Sequence, residues 1–534
     1  MSGIWRLDPG TASLTLLTHA PSGAFSPSVD AFGRVVFIKW DHLQRDQQAD
    51  ADRDGDTYGS LTYADESAGA AKDANLSASE VFPEPRDANN PDAISAVQLH
   101  TFNQFMPWQI NVDGTGEETL NHLGRHELGG SYTEGSFTAD PNLTYAAQST
   151  PHKNKFYIRG DGGFLHLSAD PLLPGRYYAT YAHEFGTAAA GALLRFDAPP
   201  GMNPENVELT PLVHPSAHNA SDDAGDAVGS TGHYRNPLAL SDGTLIASHT
   251  PDVVAVKDQT SGGVWKLTYA FRLRVLKPDG GGIYLKATDP LTAGLHADIS
   301  WWNPDTLYTF SGDLWELDAV EVRPRARPAA ATELMDAPEK AVFTEVGVDA
   351  AALSAWLKER DLALIISRNV TARDRADKQQ PYNLRVPGGV STAATPAPMY
   401  DVPFFQIFQG DALRGYGGVA QPRDGRRLLA RPMHGTGVSP TAPLGPIGSV
   451  TVASDGSIAA FVPARRALTW QLTDPEGKAV VRERNWVTFA AGEIRTCPAC
   501  HGLNTQDQTG APSPTTSPAA LKTLLEQWKK TTKR

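Results

Sequence analysis

Cysteine is nearly absent, with two in 534 residues. At most one disulfide can form, so ordinary buried cores must carry the stability, and the length is ample for two or three domains. Excess positive charge is lacking too. A formal net charge of −13 excludes binding to nucleic acid or anionic membrane through bulk electrostatics. No apolar run is long enough for a helix to cross a bilayer, so no transmembrane segment is expected. No GxSxG elbow, HExxH pair or phosphate-binding loop occurs, and no conventional hydrolase triad can be read off. Met1 to Trp5 has neither the basic start nor the apolar core of an export signal.

The two cysteines that are present stand together. Cys497-Pro498-Ala499-Cys500-His501 has the spacing of c-type haem attachment, in which the thiols add to the haem vinyl groups and the histidine reaches the iron. The alternatives are half of a zinc site, a redox dithiol and a plain disulfide. Zinc needs a second ligand pair, and none is evident nearby. A thioredoxin-like site needs a helix starting at the first cysteine, whereas a β-rich stretch precedes this one. Covalent haem belongs to extracytoplasmic compartments. The expectation is therefore a periplasmic or otherwise exported protein whose natural start lies upstream of Met1, since Ile4 to Asp8 already reads as a strand.

Glycine (48) and proline (40) are abundant, which points to a mainly β, loop-rich chain. Residues 1–322 carry a degenerate repeat. One element is a short apolar strand running into Asp, seen at Ile4–Asp8, Trp108–Asp113, Leu193–Asp197 and Leu314–Asp318. The other is a turn, then Asp and Gly, then an alternating strand, as at Ser26–Phe37 and Asn236–Ile246. Hairpins recurring with long insertions predict a β-propeller with interrupted blades, truncated at its N-terminus. Stacked β-sandwiches are the alternative. Residues 323–340, opening on a Pro/Ala/Arg run, read as a linker. Residues 341–534 read as a small β-rich domain. It begins with a helix capped by Asp349 (Leu353, Trp356 and Leu357 on one face), and residues 361–400 show little periodicity. Strands then run from Val450 to Phe489, expected to form one small sheet that delivers Cys497. A closing helix starts after Ser517-Pro518 with Leu521, Leu524, Leu525 and Trp528 as its apolar stripe.

Three further groups can bind metal. Asp50, Asp52, Asp54 and Asp56 have the spacing that wraps oxygens around calcium, but Leu61 stands where a bidentate acid is expected. Any calcium affinity should be about 10⁻⁴ M or poorer. His122 and His126, with Glu127 adjacent, could share a metal if helical. Met433 and His434 place two iron-ligand types side by side upstream of the haem motif. Too few residues follow His501 to surround a porphyrin, so its pocket must come from residues before the motif.

Taken together, a degenerate propeller, a linker, and a domain ending in Trp486-Val487-Thr488-Phe489, Gly492-Glu493 and Cys497-Pro498-Ala499-Cys500-His501-Gly502 resembles the hydrazine synthase alpha subunit family. Residues 445–502 carry the resemblance most specifically, and the propeller half is only generically similar, as to TolB-like repeat proteins. The resemblance implies an extracytoplasmic haem c protein, an oxidoreductase or electron-transfer component within a larger complex. It makes Cys497 and Cys500 the thioether positions and His501 the motif histidine. In the family a tyrosine can serve as iron ligand instead, which adds Tyr400 and Tyr416 to Met433 and His434 as candidate second ligands. This sequence holds one haem motif where the best-known members hold several, so hydrazine chemistry is not carried over. The expected partner is a small-molecule substrate or a redox protein. The competing class is a propeller scaffold that binds a protein or glycan, with haem secondary or absent.

Overall fold

The computed structural model describes residues 3–20, 23–40, 103–123, 137, 140–143, 161–183, 188–218, 231–252, 269–303, 305–324, 326, 328–329, 335–375, 377–378, 380–416, 423–433, 440–483, 485–499 and 506–532. The chain is mainly β, and its sheets are open. In the first half, Ala24–Val29 pairs with β1 (Arg34–Trp40), which pairs with β2 (Asn103–Asn111). β2 then pairs in parallel with Asp161–Ala169, and the antiparallel order continues through Arg176–His183, Ala192–Asp197 and Thr210–Pro211. A two-residue strand, β3 (Glu118–Thr119), adds to β2 off this path. β1 is buried at every position but its last, so it lacks the alternation of a half-exposed strand and must be covered on both faces. The Asp-Gly turn before it forms as expected: Asp30 accepts from the Phe32 and Arg34 amides, and Gly33 sits at φ 80°.

A four-stranded meander follows (His233–Ala239, Leu245–Thr250, Arg272–Pro278, Leu285–Pro290), then a hairpin of His296–Trp302 with Leu307–Asp313. Among the described residues no ring of four-stranded blades closes. The parallel β2 pairing merges what the repeat suggested were separate blades into one eight-stranded sheet. The expected strand at Leu314–Asp318 is not one. Its groups bond singly to the loop opposite, with the Trp315 indole donating to the Tyr269 carbonyl and the Glu316 amide to that of Phe271.

The second half opens with α1 (Ala337–Val346) and α2 (Ala350–Glu359), the latter capped by Asp349 through the Ala351 amide at 3.1 Å. Next comes β4 (Leu362–Asn369), buried at every position but its two ends. Its alternate residues serve two cores: Ala363 and Ile365 face the core shared with the first half, while Leu364 and Ile366 face the helices. β5 (Phe404–Tyr416) takes Arg423–Pro432 on one side. The run expected as one small sheet divides. β6 (Ile458–Pro463) joins β4, whereas Ser449–Thr451, β7 (Leu468–Thr473) and Ala479–Arg482 build on β5. The cause is burial: β6 is apolar and covered on both faces, the signature of an inner strand.

β8 (Ile494–Ala499) lies parallel to β4 at the sheet edge, with Cys497 opposite Ser367. The closing helix α3 (Ala519–Thr532) packs Leu521, Leu524 and Leu525 against β4, β6 and α1. Its first amides are capped from across the fold by Asp455 and Ser457 at 2.9 Å. One hydrophobic core runs through both halves, joining Val36, Phe37 and Trp108 to Ile365, Ile458, Leu468 and Phe489. No helix among the described residues is long and apolar enough to cross a membrane, which says nothing of a β-barrel.

Two buried histidines make the first half acid-sensitive. His166, between Thr180 and Arg235, has its pKa pushed down to about 3 by burial and then by the Arg235 charge. His249, whose Nε2 donates to the Thr231 carbonyl, is pushed by burial down to about 4. Unfolded imidazoles protonate near pH 6.5. Below that pH the unfolded chain binds more protons, so stability falls from about pH 6.5 toward 4. Urea titrations across this window should show that loss, and His166→Gln should flatten it; a slope unchanged in the variant would contradict the assignment.

Candidate active site

Where β8 meets the first half, the chain forms a partly open cavity of about 380 Å³. Its size is that of a small-ligand pocket. β4, β6 and β8 supply Ile365, Ile366, Ser367, Ile458 and residues 495–499, including Cys497. Phe405 on β5 and Trp470 on β7 stack with centroids 5.8 Å apart, and Val487 and Phe489 extend this apolar wall. The first half closes the other side with Gln109, Asn111, Gly116, Glu118, Asn121 and His122. The two halves therefore make one site, apolar over most of one wall and polar where they meet.

Charged groups hold that junction. Lys39 is fully buried, lies 3.5 Å over the Trp108 ring, donates to the Trp486 carbonyl at 2.5 Å and sits 3.5 Å from Glu117. Glu117 accepts the Thr488 amide at 2.7 Å. Arg495, two residues before Cys497, donates to the Glu117 carbonyl and to the Glu118 carboxylate at 2.9 and 2.8 Å. Glu493 accepts the amides of Gly116 and Ala490. Every ion is matched or hydrogen-bonded, the condition under which buried charge is tolerated. Two polar atoms of the cavity wall are buried without a hydrogen bond: Ser367 Oγ and His122 Nδ1. The latter is 3.0 Å from Glu118 Oε1 but outside hydrogen-bond geometry.

The structure brings some expected residues here and not others. Cys497 lines the cavity. Cys500, His501 and His434 lie outside the described residues, as do Asp50, Asp52, Asp54, Asp56, His126 and Glu127 and the side chain of Tyr416. Met433 is buried in the shared core, its amide bonded to the Ile407 carbonyl, and does not line the cavity. Nor does Tyr400. Its ring meets Phe137 edge-on at 5.2 Å, and burial and a bond to Asp140 raise its pKa. Among the described residues no group of three or more His, Cys, Asp or Glu is placed to hold a metal ion. Glu118, Glu483 and Arg495 line the cavity but escaped the sequence reading. The Glu118–His122 spacing, and an Arg two residues before the motif, were the signals available.

Residues 417–502, which include β6, β7, β8 and Cys497, match the family model of the hydrazine synthase alpha subunit middle domain. That stretch is similar to the hydrazine synthase alpha subunit middle domain. The alpha-like match covers that middle stretch alone. Among solved structures, Kuenenia stuttgartiensis hydrazine synthase overlays with a TM-score of 0.42 at 12% identity, over 96% of this chain and 48% of that one. So loose an overlay carries no argument, and this chain spans about half the length of that one. No curated protein matches.

The polar junction should be the most sensitive part of the chain. Lys39→Ala leaves Glu117 buried and uncompensated, a change that costs about 3–5 kcal/mol. Chemical denaturation should show that loss, and Lys39→Met combined with Glu117→Leu should recover much of it. A single variant within about 0.5 kcal/mol of the parent would show that the pair does not hold the halves.

Proposed function

We propose that this chain is an extracytoplasmic c-type haem protein, an oxidoreductase or electron-transfer component, with its haem tied through Cys497 and Cys500 and housed in the cavity between the halves. The observation that carries this is the placement of Cys497, in the family-matched strand, on the wall of a partly open pocket. The lining suits the group. Ile365, Ile458, Val487 and Phe489, with the stacked Phe405 and Trp470, offer an apolar and aromatic wall, and Ser367 Oγ beside it is buried without a hydrogen bond. His501, adjacent to Cys500, is the motif's own iron ligand in this reading.

Bound there, the haem supplies a one-electron redox centre and an iron able to meet a small molecule. The protein's part is containment. The thiol of Cys497 fixes one edge, the apolar wall excludes water, and Arg495 with Glu118 holds charge at the polar end. The first 322 residues serve in this reading as a propeller-like scaffold that closes the site. Assembly with further subunits is supported by the hairpin of residues 296–313, which leaves Ile299, Trp301, Trp302 and Phe310 exposed. Export to the periplasm follows from covalent haem, and calcium at Asp50 to Asp56 is proposed from spacing alone.

The test is expression with the c-type maturation machinery. Haem should stay with the polypeptide through acid-acetone extraction, and Cys497→Ser with Cys500→Ser should release it. A colourless protein, or haem fully extracted from the parent chain, would sink the proposal.

A further inference from the structure

The hairpin of His296–Trp302 with Leu307–Asp313 carries an alternation whose apolar side the chain leaves open. Leu295, Ala297, Ile299 and Trp301 take the odd positions, while His296, Asp298 and Ser300 take the even ones. The second strand answers in register. Phe310 stands opposite Ile299 and Tyr308 opposite Trp301, whereas Ser311 stands opposite Asp298 and Thr309 opposite Ser300. Trp301 and Tyr308 stack with centroids 5.7 Å apart, and the Leu314 amide extends the ladder to the Leu295 carbonyl. One face is therefore apolar throughout. The other is polar except for Trp302 and Leu307 at the tip.

Alternation of this kind marks a strand with one face against a core. Here that face is uncovered: Leu295 is 63% exposed, Ile299 and Trp301 46% and Phe310 39%. The hairpin joins no other sheet among the described residues, and two strands alone are marginal in water. Its cover must be a second surface. Charge and size select which. The apolar face has no charged side chain, while Asp298 and Asp313 lie 3.6 and 3.2 Å from His296 on the opposite face. In a chain of net charge −13, a two-fold contact through the apolar face keeps these carboxylates outward and opposes no like charges. A basic partner finds nothing on this face to pair with. Laid together, two copies cover on the order of 1,000 Å², the lower end of specific interfaces. A flat apolar face also complements itself, as an isologous contact requires. We propose that this face is the two-fold interface of a homodimer, in which Ile299, Trp301 and Phe310 pack against a second copy. This specifies one contact of the assembly proposed above and does not rest on the haem.

Sedimentation velocity of the full chain over a range of concentrations tests this. The parent should sediment as a dimer that dissociates on dilution. Ile299→Glu and Trp301→Glu should each weaken the dimer at least tenfold, and Asp298→Asn on the opposite face should leave it unchanged. Circular dichroism checks that the variants fold, and Phe310→Ser, a milder change on the same face, should also weaken the dimer. A parent that stays monomeric would overturn the proposal. So would folded variants of the apolar face that dimerise as tightly as the parent. Neither result bears on covalent haem, which acid-acetone extraction reads separately.

Discussion

A lysine and a glutamate buried where two halves of a chain meet impose a condition on everything around them. Lys39 and Glu117 have no solvent, so each must find its partners in protein, and they find them in the main chain at Trp486 and Thr488. Those two residues sit on the approach to β8, and Val487 between them lines the cavity. The ion pair thus sets the distance between the first-half sheet and the cavity wall. An apolar contact of the same area would allow sliding; directed bonds from a buried charge do not. The pocket's shape depends on that constraint more than on any single wall residue.

What the sequence disclosed follows from what is local. The α2 cap, the Asp-Gly turns and the hairpins at Ser26–Phe37 and Asn236–Ile246 are set by neighbours a few residues apart, and each forms as read. β4 went unread, although Leu362 to Ile366 is an unbroken apolar run. Alternation marks strands with one wet face, and β4 has none. The division of the 449–482 strands between two sheets was hidden for a related reason. Pairing partners are chosen by burial, and β6 is apolar enough to be drawn inward while its neighbours are not.

The candidate site was legible only on its C-terminal side. Cys497 draws attention through its spacing from Cys500. The opposing wall is assembled from residues that carry no motif, because a wall needs only shape and a few placed polar atoms. His122 was noticed for its distance from His126, yet the partner that matters in space is Glu118, on the preceding strand and held by Arg495. Periodicity reasoning looks along an element. This pairing arises where a strand breaks into a strained turn, and strain of that kind depends on Pro199 and Met202 far along the chain.

The distance along the chain between the two walls also fixes an order of events. Glu117 meets Thr488 and Arg495 across separations of 371 and 378 residues, so the pocket cannot close until residue 495 has emerged. Contacts of that range form late and slowly. Through that interval β1 and β2 hold apolar faces that await their cover, which exposes the nascent chain to self-association. The strand bearing Cys497 follows the strands it joins and docks at a sheet edge. The Cys497 thiol is therefore most accessible in the interval before β8 pairs with β4.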